Sequence, residues 1–264
     1  MATVNDVAAV MEQIAPVSAA MEWDNVGLLV GRRNATVRRI LVALDATDAV
    51  INEAERLGAD IIVTHHPTIF KGVTRITDGD ALGRRLLRLI EKNIAVYAAH
   101  TNLDVADHGT NDTLCERLGL KNVKPLIYDE GDLAIGRNGY LPQVMTLRSL
   151  TAHVKDCLGL DGLRYCGNGL KNIGNVAVCA GSGGKYLYAK QVIAAGCDVY
   201  ITSDIGFHMA QDALADGLCL IDVTHYATEA PVVSVLRDRL EEMLAGQDVE
   251  VLAAEIDGQV FRTI

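Results

Sequence analysis

The sequence predicts an α/β protein of two similar halves, each with a mostly parallel sheet. Three observations carry that expectation. Short apolar runs alternate with amphipathic helical stretches from residue 38 onward, a strand-end pattern recurs in the second half, and half of the 264 residues are hydrophobic although aromatics are few. Strands alternating with helices imply right-handed crossovers and a covered parallel sheet. With one Trp, eight Tyr and three Phe, the packing falls to Val, Ile, Leu and Ala.

The elements follow in chain order. Thr3 followed by Asp6 reads as a capping box, and Val4, Val7, Val10, Met11 and Ile14 recur at helical spacing until Pro16 stops the helix. "WDNVGLLVGRRN" reads as a loop with a short apolar stretch ending in Gly31; Asp24 or Asn25 is expected to cap a local turn. "RRILVALDA" is a buried strand, "DAVINEAERLG" a helix and "DIIVTHH" a second strand. "ALGRRLLRLIEKN" is a helix, "IAVYAAH" a third strand and "GTNDTLCERLGL" a helix. After the polar stretch "YDEGDLAIGRNGY", "QVMTLRSLTAHVKDCLGL" holds a strand and a helix, and "NVAVCAG", "CDVYITSD" and "LCLIDVTH" are strands separated by helices at "KYLYAKQVIAAG" and "HMAQDALADG". The amphipathic helix "EAPVVSVLRDRLEEML" and the strand "VEVLAAE" close the chain. The division is expected near Lys121 to Tyr140, giving a first half over 1–127 and a second over 128–264, with the C-terminal helix packing back on the first.

A net charge of −10 and a pI of about 5.1 argue against a nucleic-acid groove, which needs a basic face. The six cysteines are scattered without a Cys-x-x-Cys, as expected of structural thiols in a reducing cytoplasm. Neither a basic leader nor eighteen consecutive apolar residues occurs, so a cytoplasmic protein without a membrane span is expected.

"LGADIIVTHHP" lies over "AGCDVYITSDI", so that His65 and His66 fall opposite Ser203 and Asp204. "IAVYAAHTNLD" lies over "CLIDVTHYATE", so that His100 meets His225 and Asp104 meets Glu229. The repeat implies an internal duplication, with a ligand site between the halves at the C-terminal ends of their strands. His65 and His66, neighbours on an extended chain, are expected to point apart.

His65, His66, His100, Asp104, His225 and Glu229, with Asp204 nearby, are too many ligands for one tetrahedral zinc. They suit two divalent ions, and imidazole with carboxylate favours Zn, Fe or Mn over Mg or Ca. "AGSGGKY" follows a strand and opens a helix, so Gly183 and Lys185 are candidate substrate contacts at an anion-binding turn, although the run departs from a Walker motif.

The order "WDNVGLLVG", "THHPTIFKG", "HTNLDVADHGTND", "THYATE" resembles the Nif-three-like family, also called GTP cyclohydrolase I type two homologues, in its short form without a central insertion. The resemblance spans nearly the whole chain. It implies a dinuclear metal centre on His65, His66, Asp104, His225 and Glu229, with His100 nearby, and a hexameric ring. It also implies a GTP cyclohydrolase-like reaction. The expected function is therefore a metal-dependent hydrolase acting on a nucleotide or phosphoester, with His100 or Asp204 as a catalytic proton carrier. The alternative is a non-catalytic metal-binding assembly or partner-docking protein.

Overall fold

A computed structural model describes residues 1–129 and 131–262, which divide into two compact units. Unit one comprises Met1–Ala106 and Val233–Gly258; unit two comprises Asp107–Val232 and the residues from Gln259 on.

In unit one, β1 (Ala2–Thr3) leads into α1 (Val4–Ile14), where Thr3 and Asp6 form the reciprocal capping box that their spacing indicates. Then come β2 (Gly27–Val30), β3 (Thr36–Val37), β4 (Arg39–Ala43), α2 (Asp48–Leu57), β5 (Ile61–Thr64), α3 (Ala81–Glu91), β6 (Ala95–Ala98) and the one-turn α4 (Thr101–Val105). β4, β5 and β6 are parallel neighbours in chain order, with Ile40 opposite Ile61 and Ile61 opposite Ala95. Every residue of β5 is buried, because helices cover both faces of a parallel sheet. β2 lies antiparallel along β6. It was expected only as an apolar stretch in a loop.

Unit two begins with α5 (Thr110–Arg117), β7 (Lys121–Tyr128), β8 (Ala134–Thr146), α6 (Leu147–Cys157) and β9 (Arg164–Cys166). It continues with β10 (Asn172–Val178), α7 (Tyr186–Ala194), β11 (Val199–Thr202), α8 (Phe207–Ala215), β12 (Cys219–Asp222) and the one-turn α9 (His225–Glu229). Helix α10 (Pro231–Met243) then returns the chain to unit one, where β13 (Glu250–Ala253) pairs in parallel with β4.

The first sheet has the order β13-β4-β5-β6-β2, and the second β7-β8-β10-β11-β12-β9. Each thus contains three sequential parallel strands joined by helices, β4-β5-β6 and β10-β11-β12. In the second sheet these are flanked by antiparallel strands, more of them than the sequence suggested.

The stretch expected to mark the domain boundary is the β7–β8 hairpin edge of the second sheet. Its polarity hides it. Arg137 is buried mid-strand, with Nε 2.5 Å from Asp112 Oδ1 and Nη1 on the carbonyls of Ala134 and Gly136. A Cβ at Gly136 would stand 2.7 Å from the Val178 carbonyl oxygen, so β8 can approach β10 only with glycine there. All six cysteines are free thiols. Among the described residues no helix is long and apolar enough to cross a membrane.

Candidate metal centre

In unit one the candidate residues leave the ends of β5 and β6. Strand β5 stops at Thr64, whose hydroxyl donates to the His66 carbonyl at 2.8 Å. The next two amides both turn to the same neighbouring segment, His65 N–H to Ala43 O at 3.3 Å and His66 N–H to Leu44 O at 2.9 Å. In a regular ladder successive amides point to opposite sides. The chain has therefore left the pleat, and the two rings do not diverge as expected. Their centroids are 5.0 Å apart, and one ligand atom from each of His65, His66 and His100 lies within 4.8 Å of the others.

His100 caps the N-terminus of α4, and its carbonyl accepts from the Asp104 amide at 3.0 Å. That turn brings Asp104 Oδ1 to 3.7 Å from His65 Nε2. His65 is buried and His66 and His100 are partly exposed, so the cluster has one closed and one open side.

What orients these rings is a set of oxygens on Nδ1. His65 Nδ1 donates to the Ala99 carbonyl at 3.0 Å, His66 Nδ1 to Asp45 at 2.9 Å, and His100 Nδ1 to Asp24 at 2.9 Å. A carbonyl or carboxylate oxygen can only accept, so each ring carries a proton on Nδ1, which in the neutral imidazole leaves the lone pair on Nε2. Asp24 is fixed further by Thr101, through its amide at 3.0 Å and its hydroxyl at 2.5 Å. Burial alone would raise the Asp24 carboxyl, but hydrogen bonds from His100 and Thr101 outweigh it and hold the group at about 2.

Unit two repeats the device. Thr224 caps α9 by accepting from the Ala227 amide. The single turn places His225 Nε2 3.2 Å from Glu229 Oε2, four residues on. His225 Nδ1 donates to Asp204 at 2.8 Å. Asp204 sits just past β11 with φ +56°, a left-handed conformation that aspartate adopts more readily than most residues.

Of the anion-turn residues, the Gly183 amide donates to Gly181 O and the Lys185 amide to Gly183 O. Lys185 Nζ lies 2.8 Å from the Tyr188 hydroxyl and 3.4 Å from Asp129. The first glycine of the run packs against Glu229. Gly181, at φ +64°, donates to Thr228 Oγ1 at 2.9 Å, and a Cβ on it would overlap Glu229 Oε1. Asn111 fixes the start of this loop by accepting from the Ala180 amide at 2.8 Å.

Sequence reasoning missed Asp45 and Gly181 and gave Asp24 only a local capping role. A carboxylate just past the apolar run of β4 was the available signal for Asp45.

The donor set fits divalent metal ions on chemical grounds: four imidazoles presenting Nε2, with carboxylates beside two of them. The family described as Duf34/NIF3 (NGG1p interacting factor 3) matches residues 2–259. A Clostridium perfringens protein named GTP cyclohydrolase 1 type 2 homolog is 37% identical over 255 residues, covering 95% of each chain. A solved Bacillus cereus protein related to NIF3 superposes with a TM-score of 0.93 at 26% identity, covering all of both chains. A Staphylococcus aureus hypothetical protein does so with 0.91 at 30% identity, covering 99% of each.

Proposed function

Because the chain belongs to the Duf34/NIF3 family, we propose that it is a metal-dependent hydrolase. In this reading it holds two divalent ions on His65, His66, Asp104, His225 and Glu229 and acts on a nucleotide or phosphoester. The observation that carries the reading is the uniform anchoring of Nδ1 on His65, His66, His100 and His225, which in the neutral rings presents Nε2 as the lone-pair donor. Oxygen partners of this kind are what metal-bound histidines use to set tautomer and basicity. The name of the C. perfringens relative supports a nucleotide among the substrates.

Bound divalent ions would supply a lowered water pKa and polarisation of the substrate's phosphoryl oxygen or ring carbon. The chain's own contribution is positional. Asp45, Asp24 and Asp204 hold three imidazoles in one tautomer, and the turns of α4 and α9 keep Asp104 and Glu229 beside His65 and His225. His100 is partly exposed and its Nδ1 proton is committed to Asp24, so its Nε2 is the atom able to take a proton from an approaching substrate. Asp204, engaged with His225, serves as an orienting partner in this reading. The hexameric ring implied by the resemblance belongs to the same proposal.

Protein purified without chelators should carry close to two divalent ions per chain by elemental analysis. Metal-loaded protein should then hydrolyse a member of a nucleotide and phosphoester panel. Absence of ions both as purified and after reconstitution would end the metal reading. Ions without turnover on any substrate would favour a non-catalytic metal-binding assembly.

A further inference from the structure

Two exposed aromatic rings stand beside the histidines of unit one, and the metal chemistry uses neither. Trp23 is 46% exposed and Phe70 45% exposed. Their centroids are 6.0 Å apart with planes inclined at 56°. Both meet His100 edge to face, Trp23 at 6.1 Å and Phe70 at 6.3 Å. A single exposed aromatic on a surface is ordinary. Two within contact of each other and of the same candidate metal-site histidine are a built feature.

The rings are held in place. Asn25 Nδ2 donates to the Ile69 carbonyl at 2.5 Å, tying the loop of Trp23 to that of Phe70. Asp24, between Trp23 and Asn25, is locked to His100 and Thr101. Pro67, directly after His66, limits the backbone that leads to Phe70. Trp23 is thus positioned beside the Asp24 contacts that orient His100, and Phe70 is tied to the same loop through Asn25, while much of the pair's surface remains in water.

We propose that Trp23 and Phe70 form a stacking subsite for a planar aromatic heterocycle of nucleobase size, seated next to His100. Apolar ring faces recognise such a ring through stacking and give a bare sugar phosphate nothing comparable. The inference rests on the proposed metal-site reading and narrows its substrates to those bearing a planar ring.

Trp23 is the chain's one tryptophan, so its emission reports the subsite directly. Zinc-loaded protein is titrated with guanosine monophosphate and, separately, ribose 5-phosphate, with excitation at the red edge of tryptophan absorption where the purine is transparent. Guanosine monophosphate should quench saturably and ribose 5-phosphate should not. Phe70→Ala should weaken the purine roughly 5- to 100-fold, Phe70→Tyr should preserve it, and neither should change metal content. No saturable quenching, an equal response to ribose 5-phosphate, or an unchanged Kd in Phe70→Ala would overturn the proposal. If the wild-type chain holds no ions, the metal reading fails by elemental analysis. The same titration on that protein still decides the subsite, because ring contact needs no metal.

Discussion

Replacing Gly181 with alanine separates the cost of a backbone conformation from the cost of crowding Glu229, the proposed ligand. Gly181 has φ +64°, where an L side chain costs roughly 1–2 kcal/mol. Its new Cβ would also overlap Glu229 Oε1, 3.1 Å from Glu229 Cδ and 3.3 Å from His225 Nε2. Glu229 is 3% exposed, so its carboxylate has little room to give way, and relieving the overlap is expected to disturb its contact with His225. Gly196 supplies the control: it has φ +70° and nothing within 4 Å of its ideal Cβ. Both alanine variants should lose about 1–2 kcal/mol of stability through the backbone conformation, a drop of roughly 2–4 °C in Tm per kcal/mol for a chain of this size, and Gly181→Ala should lose more through the crowding. Only Gly181→Ala should weaken metal binding, by more than the roughly 10- to 100-fold expected when an orienting hydrogen bond is lost. Competition with a chromophoric chelator, well below either melting transition, measures the affinity. Wild-type affinity in Gly181→Ala would refute the placement of Glu229 as a ligand. Equal metal loss in Gly196→Ala would refute the argument from crowding.

Asp45 and Asp204 keep 42% and 51% of their side-chain surface exposed, so Asp45→Ala and Asp204→Ala should leave the fold intact. Each should weaken metal binding roughly 10- to 100-fold in the same chelator competition, and unchanged affinity would remove the orienting role. Arg137→Met leaves Asp112 without its buried cation and should cost roughly 3–5 kcal/mol, seen as a lower urea midpoint at unchanged slope. Burial, with Asp112 adding to it, pushes the Cys115 thiol up to about 12; burial, with Asp198 adding to it, pushes Cys197 to about 11. Folded protein near neutral pH should therefore be alkylated first at the partly exposed Cys157 and Cys166. Labelling at the buried Cys115 should lag behind both, and mass spectrometry of a time course checks the order.

The parallel centre of each sheet was legible because β5, β6 and β11 are buried throughout and β4, β10 and β12 each carry a buried apolar run, ILVA, VAV and CLI. β7 and β8 were illegible for the opposite reason. Arg137 and Asn138 of β8 find partners in Asp112 and Asn175, far off in the chain, and the exposed β7 has no alternation to show. A local pattern records which residues avoid water. It does not record which polar groups will meet a distant partner.

The candidate site divides along the same line. The histidines and the two carboxylates four residues after His100 and His225 stood out because a single helical turn links each pair. Their orientation did not, since it depends on Asp24, Asp45 and Asp204, supplied from 76, 21 and 21 residues away. The expected divergence of His65 and His66 failed for a related reason. Period-two alternation holds only while the chain stays in the pleat, and here the carbonyls of Ala43 and Leu44 capture both amides on one side. Adjacent histidines past a strand end can thus present their rings together, where a regular strand would hold them on opposite faces. The glycine run yields to the same logic. Read locally it suggested an anion turn, yet Gly181 is small because a carboxylate 48 residues later occupies the space where its side chain would be.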